Sequence, residues 1–374
     1  MKVLILSCNT GEGHNAAGRA LMETLQREGQ EVEMLDYMKL SGERTSRWVG
    51  GAYVAMAKYT PRFFHLLYLA GMAISSSRYK SPVYYANSLM GKYLHGYIKE
   101  HGFDVIVMPH LYPAETITYM KKRYGLSIKT VAISTDYTCI PFWEETNCDC
   151  YIIPHEDLVK EYVSRGIPRE KLYCLGIPVK EAFTKQVDSQ RAKRKLKLPE
   201  DKPMFLIMGG SMGFGKMWLF TYELSKKCTS GEQIVVICGT NRKLYRVLQK
   251  EFKKNKNVHI VGYTNHVAAY MDACDVVYTK PGGLTSTEVI VKNKPLIHTA
   301  PIPGCETYNQ KFFATRGMSM ASTTIRSQIM EGKRLLKDRK CSENMKRAQQ
   351  KHGKPKAAYD IYQLMVSLCE KRSE

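Results

Sequence analysis

The chain has 374 residues, enough for two domains of ordinary size, and its hydrophobic content of 44% lets each bury a core of its own. Against 35 Asp and Glu stand 56 Lys and Arg, a net charge of +21, and that excess must face water or an anionic partner: nucleic acid, an anionic membrane surface or a phosphorylated substrate. No apolar run reaches the roughly 18 to 20 residues that cross a bilayer, which excludes a spanning helix, and the 11 scattered cysteines offer only Cys148 and Cys150 as a close pair, at neither a zinc nor a redox spacing.

The first strand is predicted at Val3–Leu6, with loop and helix directly after it. No signal segment is expected ahead of it, and the expectation is a cytosolic chain with reduced thiols. The loop reads "SCNTGEGHNAAGRAL", followed by a helix from about Asn15 to Arg27 and a second strand ending in Asp36. Gly11, Gly13 and Ala16 match the dinucleotide pattern G-x-G-x-x-A, with Asp36 where a ribose-binding acid would stand. Two details oppose that reading: the loop is longer than a tight fingerprint turn, and His14 follows the second glycine. The other reading has a helix N-terminus offering N–H groups to a polar or anionic ligand, with His14 as a general base. A histidine simply bonded to the backbone is the plain alternative.

From Arg44 to Lys99 the chain has no Asp or Glu. Arg44, Arg47, Lys58, Arg62, Arg78, Lys80, Lys92 and Lys99 alternate there with Trp48, Phe63, Phe64 and eight tyrosines. Cations and aromatics without acids suit an anionic leaflet. Core filling and stacking on single-stranded nucleic acid are the rival uses, and no nucleic-acid motif accompanies the stretch. Further strands are predicted at 104–108, 129–134 and 148–154, with a helix from Pro113 to Arg123. His110 ends one strand as an orienting or acceptor-contacting residue. Asp136 ends the next, as a second candidate base or a turn cap.

The charged stretch between Pro178 and Pro203 marks a domain boundary, with domains expected at 1–180 and 181–355 and a last helix at 356–374 that crosses back to the first. Strands then recur near 203–208, 233–239, 258–263, 275–281 and 294–299, alternating with helices. These are two doubly wound α/β halves in tandem, and the expected site is the cleft between them, at the strands' carboxyl ends. "GGSMGFG" (Gly209, Gly210, Ser211 and Gly213) is a turn suited to a diphosphate. In "TKPGGLTSTE", either "TSTE" caps a helix, or the helix start faces a phosphate and Glu288 holds a ribose diol. Glu306 and Asn309 lie in the polar loop "PIPGCETYNQKFF", either solvated or bonded to sugar hydroxyls.

In their order and spacing, "GEGHNAAGRAL", "GGSMGFG", "VGYTNHV", "TKPGGLTSTE" and "PIPGCETYNQKFF" resemble the monogalactosyldiacylglycerol synthase and processive diacylglycerol glucosyltransferase family, related to the peptidoglycan enzyme that adds N-acetylglucosamine to lipid I. The resemblance implies a GT-B fold of two Rossmann-like domains facing across a cleft. It implies inverting transfer of a hexose from a UDP-sugar to a membrane lipid, diacylglycerol in the first instance. It places His14 as base, with the loop of Gly11 and Gly13 on the acceptor side. Gly209, Gly210, Ser211 and Gly213 fall near the donor diphosphate, and Gly262 and Tyr263 beside the uracil. Gly282, Gly283, Thr285 and Thr287 fall at the phosphate-facing helix start, Glu288 on the ribose, Glu306 and Asn309 on the sugar. Relatives often carry glutamine where this chain has Cys305, which bears on the hexose. The chain has no D-x-D tripeptide, so a metal-independent reaction without cofactor is expected. The partners expected are a UDP-sugar, diacylglycerol and an anionic membrane, without nucleic acid. Transfer of N-acetylglucosamine to another lipid and a UDP-sugar epimerase of the same fold are the alternatives.

Overall fold

The computed structural model describes residues 1–8, 11–42, 51, 56, 60–211, 213 and 215–370, apart from the side chains of 61, 62, 64 and 65. The chain divides into two compact units. One is Met1–Glu181 with Pro303–Cys305 and Lys354–Glu374; the other is Ala182–Ile302 with Glu306–Gly353.

The first unit is built on six parallel strands: β1 (Lys2–Ser7), β2 (Glu31–Asp36), β3 (Val105–Met108), β4 (Lys129–Ile133), β5 (Cys150–Ile152) and β6 (Leu172–Tyr173). Their order is β2-β1-β3-β4-β5-β6. Runs such as "VLIL" and "VIVM" are apolar without alternation because helices cover both faces, and Val3–Leu6 and Val105–Met108 are fully buried. Val3 pairs with Val32 on one side and Val105 on the other. The chain order therefore reverses between β1 and β3, where a doubly wound sheet opens a crevice at its carboxyl edge.

The helix after β1 is Glu12–Arg27, three residues earlier than predicted. Glycine lowers helix propensity, but the first turn tolerates it because its N–H groups lack intrahelical partners anyway. Ala17, Ala20, Leu21 and Leu25 turn toward the sheet, and at Gly18 an added Cβ would stand 3.0 Å from Met34 and 3.3 Å from Ile5. The last helix, Ala357–Glu370, buries Ile361 and Met365 in the same core as Leu21, Val3 and Val131. Burying two such side chains contributes on the order of 3–6 kcal/mol before entropy.

The helix Pro61–Ile74 approaches the unit at Gly71, where a Cβ would lie 3.2 Å from the Phe142 ring, and Ser75 Oγ accepts the Phe142 N–H at 2.7 Å. Its other side leaves Phe63, Leu66, Leu67, Leu69 and Ile74 exposed. Tyr79, Tyr85, Leu89 and Tyr93 are exposed in the segment that follows. Arg44, Arg47, Trp48 and Lys58 lie outside the described residues, as do the side chains of Arg62 and Phe64. No helix among the described residues is long and apolar enough to cross a membrane.

The second unit repeats the plan with β7 (Met204–Met208), β8 (Gln233–Ile237), β9 (Val258–Val261), β10 (Val276–Thr279), β11 (Leu296–His298) and β12 (Met320–Ala321), ordered β12-β11-β10-β7-β8-β9. Here the order reverses between β7 and β10. The short edge strands β6 and β12 carry too few residues for a period to show, and the sequence reading passes over them. Lys292 is fully buried and donates to both Asp272 carboxylate oxygens at 2.8 Å. It also donates to the Lys185 carbonyl, which ties the charged connecting stretch to this unit.

Candidate active site

Three loops meet at the carboxyl edge of the first sheet, following β1, β3 and β4. Gly11 is the N-cap of helix Glu12–Arg27 without a side-chain cap, and a Cβ at Gly11 or Gly13 would meet nothing within 4 Å. Neither glycine is required by packing; their smallness keeps the helix start open. His14 stands in that first turn, partly buried, across the β1/β3 crevice from His110, with ring centroids 4.5 Å apart at 73°. His14 Nδ1 is 3.0 Å from the Pro109 carbonyl oxygen and 2.7 Å from Thr135 Oγ1. A carbonyl has no proton to give, so this bond requires the proton on Nδ1, and the neutral ring keeps its lone pair on Nε2. Burial lowers the His14 pKa below 6.5; the negative charge of Asp136 and the Pro109 hydrogen bond oppose it. The helix N-terminus adds to the preference for a neutral ring.

His110 caps the helix Leu111–Tyr124, its Nδ1 accepting the Tyr112 N–H at 3.1 Å. Burial, then the neighbouring His14, holds its pKa well below 6.5, so it stays neutral. Asp136 follows β4, half-buried, close enough for its charge to act on His14. The sequence offers Asp136 as an independent base or a turn cap; the structure makes it the electrostatic partner of His14. Thr135 and the Pro109 carbonyl, which orient the imidazole, are not singled out by the sequence reading. Only a residue's place at a strand's end could have suggested them.

The second unit places its glycine turns at the corresponding edge. Gly210 has φ +72° and Gly213 φ +58°, a region that favours glycine, and a Cβ at Gly213 would stand 2.7 Å from the Cys238 carbonyl. Ser211 O accepts from Thr240 N at 2.7 Å, so the β7 and β8 turns are laced together. Gly282 caps the helix Gly283–Val291, again without a side-chain cap. Thr285 and Glu288, three apart, share its half-exposed face. Gly262 and Tyr263 follow β9, with Tyr263 68% exposed.

Two expectations are corrected here. "TSTE" does not cap a helix: residues 285–288 lie inside it, and the buried Thr287 hydroxyl donates back to Gly283 O at 2.8 Å. Glu306 and Asn309 are not in a polar loop but in the helix Cys305–Thr315, both buried. Asn309 Nδ2 donates to Pro281 O at 3.1 Å, bracing the turn after β10, and Glu306 pairs with Lys280. A run of polar side chains reads as loop from sequence; here they turn inward and satisfy backbone groups. Lys280, which the sequence reading does not single out, was visible only as a cation placed directly before Pro-Gly-Gly.

Two family descriptions match the chain in succession. Monogalactosyldiacylglycerol (MGDG) synthase covers residues 14–179, and the glycosyltransferase family 28 C-terminal domain covers residues 204–361. A processive diacylglycerol beta-glucosyltransferase of Staphylococcus carnosus is 30% identical over 226 residues, 60% of this chain and 57% of the relative, so the match spans less than two thirds of that relative's length. One from Bacillus licheniformis is 27% identical over 349 residues, 92% of this chain and 89% of the relative. Among solved structures, MurG of Acinetobacter baumannii superposes with a TM-score of 0.62 over 98% of this chain and 99% of that one, at 16% identity. The fold is GT-B.

Proposed function

We propose, from its match to MGDG synthase over residues 14–179 and to the family 28 glycosyltransferase C-terminal domain over residues 204–361, that this chain is an inverting UDP-sugar-dependent hexosyltransferase whose acceptor is a membrane lipid, 1,2-diacylglycerol. The observation that carries the reading is His14 at the β1/β3 reversal, with Nδ1 committed to the Pro109 carbonyl. Its Nε2 takes the acceptor hydroxyl proton as that oxygen attacks the anomeric carbon. The bond from that carbon to the β-phosphate oxygen breaks, and UDP departs with the electron pair. Asp136 stabilises the imidazolium that forms; neutral His110 packs beside it without adding a competing charge.

On the donor side, the uncapped N–H groups at Gly282–Gly283 and the turn Gly209–Gly213 face the diphosphate. Thr285 stands beside the phosphate at that helix start. Glu288 holds the ribose, and Gly262 with Tyr263 brackets the uracil. Thr287, Asn309 and Glu306 shape these turns from within. Transfer proceeds without a divalent metal, in keeping with a sequence that has no D-x-D tripeptide. The protein works at the cytoplasmic face of an anionic membrane, which the exposed apolar side of Pro61–Ile74 enters. Nucleic acid is not its partner.

The test is UDP release from labelled UDP-glucose, UDP-galactose and UDP-N-acetylglucosamine, with and without diacylglycerol vesicles and with and without chelator. Lipid-dependent release that chelator leaves intact is expected from one of the hexose donors. His14→Ala should abolish it with UDP affinity nearly unchanged, and Glu288→Ala should weaken UDP binding. Label scrambling without acceptor points instead to an epimerase, release from UDP-N-acetylglucosamine alone to a different transferase, and silence with every donor sinks the reading.

A further inference from the structure

Lys280 follows β10 directly, and its ammonium lies where the turns after β7 and β10 converge, at the reversal point of the second sheet. A Cβ at Gly210 would stand 2.9 Å from its Cε, and one at Gly282 would stand 3.4 Å from its Nζ. A side chain at Gly210 would crowd the lysine stem, whereas one at Gly282 would make only ordinary contact with the ammonium. The lysine side chain is 20% exposed and the Glu306 side chain with which it pairs is 9% exposed. That carboxylate is fixed from a second side, its Oε2 accepting the Ile302 N–H at 2.9 Å. A largely buried ion pair contributes little to stability, because desolvation offsets most of its attraction. It does hold a cation in one place, beside two backbone turns and an uncapped helix start that all favour an anion.

We propose that Lys280 is the diphosphate-neutralising residue of the donor site, held by Glu306 until a nucleotide arrives and then shared with the diphosphate oxygens. This rests on the reading of the second unit as the UDP-sugar site. During transfer the acceptor oxygen bonds to the anomeric carbon, and that carbon's bond to the β-phosphate oxygen breaks. The electron pair stays on the phosphate oxygen, where the Lys280 ammonium meets the added charge. The acceptor proton goes to His14. Lys280 thus supplies the positive charge that a metal ion would otherwise bring to the leaving group. Glu306 is a positioning residue that the diphosphate displaces in part.

The experiment is calorimetric titration of the full chain with UDP and with uridine, the latter by competition, alongside turnover and thermal melting. Lys280→Gln is expected to weaken UDP about ten- to hundredfold, the range of a charge-assisted hydrogen bond, and to leave uridine unchanged. Lys280→Arg should recover most of the loss. Glu306→Gln should tighten UDP, since the ammonium no longer gives up a carboxylate. An unchanged ratio of UDP to uridine affinity in Lys280→Gln overturns the proposal. So does a Glu306→Gln that loses UDP as Lys280→Gln does, an arm that decides alone if Lys280→Gln does not fold. A wild-type chain that binds no UDP overturns the underlying donor-site reading instead.

Discussion

His14 owes its character to neighbours from the ends of two other strands, β3 and β4. The Pro109 carbonyl fixes its proton, Thr135 Oγ1 sits 2.7 Å from the same nitrogen, and Asp136 supplies a charge. Burial lowers its pKa, so the basic form persists into mildly acidic solution, and the acid limb of kcat/KM is expected to lie below pH 6.5. Asp136 works in the other direction, raising that pKa. Asp136→Asn should therefore move the acid limb to still lower pH while reducing kcat, because the imidazolium loses its counter-charge. A limb that stays in place or shifts upward in a pH–rate series would remove Asp136 from this role. The glycine-histidine pairing was legible in the sequence because two glycines between an apolar strand and a helix mark a loop at a strand's end. Thr135 was not, since a threonine at a strand's end looks the same whether or not it faces an imidazole.

At the level of elements, one buried cluster joins the helices Leu111–Tyr124 and Pro82–Ser88. Glu115, on Leu111–Tyr124, accepts from Asn87 Nδ2 at 2.5 Å, and Asn87 Oδ1 accepts from Tyr37 Oη at 3.1 Å. This links the helix Pro82–Ser88 to the turn that follows β2. Among the described residues Glu115 Oε1 has no hydrogen-bond partner. Burial pushes the Glu115 pKa up to about 8 from an ordinary 4.5, with the Asn87 bond opposing and Glu145 adding to the rise. The folded chain thus binds a proton that the unfolded chain releases between those values. The stability that Glu115 contributes is full below about pH 4.5 and lost as pH rises through about 8. Glu115→Gln keeps the shape and removes the titration. Urea unfolding should find it more stable than wild type at pH 8 and no more stable at pH 4. Equal stability at pH 8 would show that the carboxyl is solvated. The same inward turn of polar side chains explains Glu306 and Asn309: hydrophilicity marks a loop only until the packing decides which way a helix faces.

Across the whole molecule, the +21 charge and the exposed side of Pro61–Ile74 call for the same measurement. Sedimentation with anionic-lipid vesicles should show binding that falls as salt rises from about 0.05 to about 0.5 M, as the screening length contracts. Leu66→Ser with Leu69→Ser should weaken it at fixed salt, because both side chains are exposed and free to enter the lipid. Binding indifferent to both salt and substitution would remove the membrane from this account. The two halves, their parallel sheets and the glycine turns at the strands' ends were determined by the sequence alone. Buried parallel strands must be continuously apolar, and tight turns over a helix start must be small, so local composition carries both. The tertiary structure alone decided that Thr135 and Asp136 address His14, that Lys280 answers Glu306 between two glycines, and that "TSTE" lies within a helix. Those relations depend on strand order and on the direction of side chains separated by tens of residues, and no local pattern in the chain encodes them.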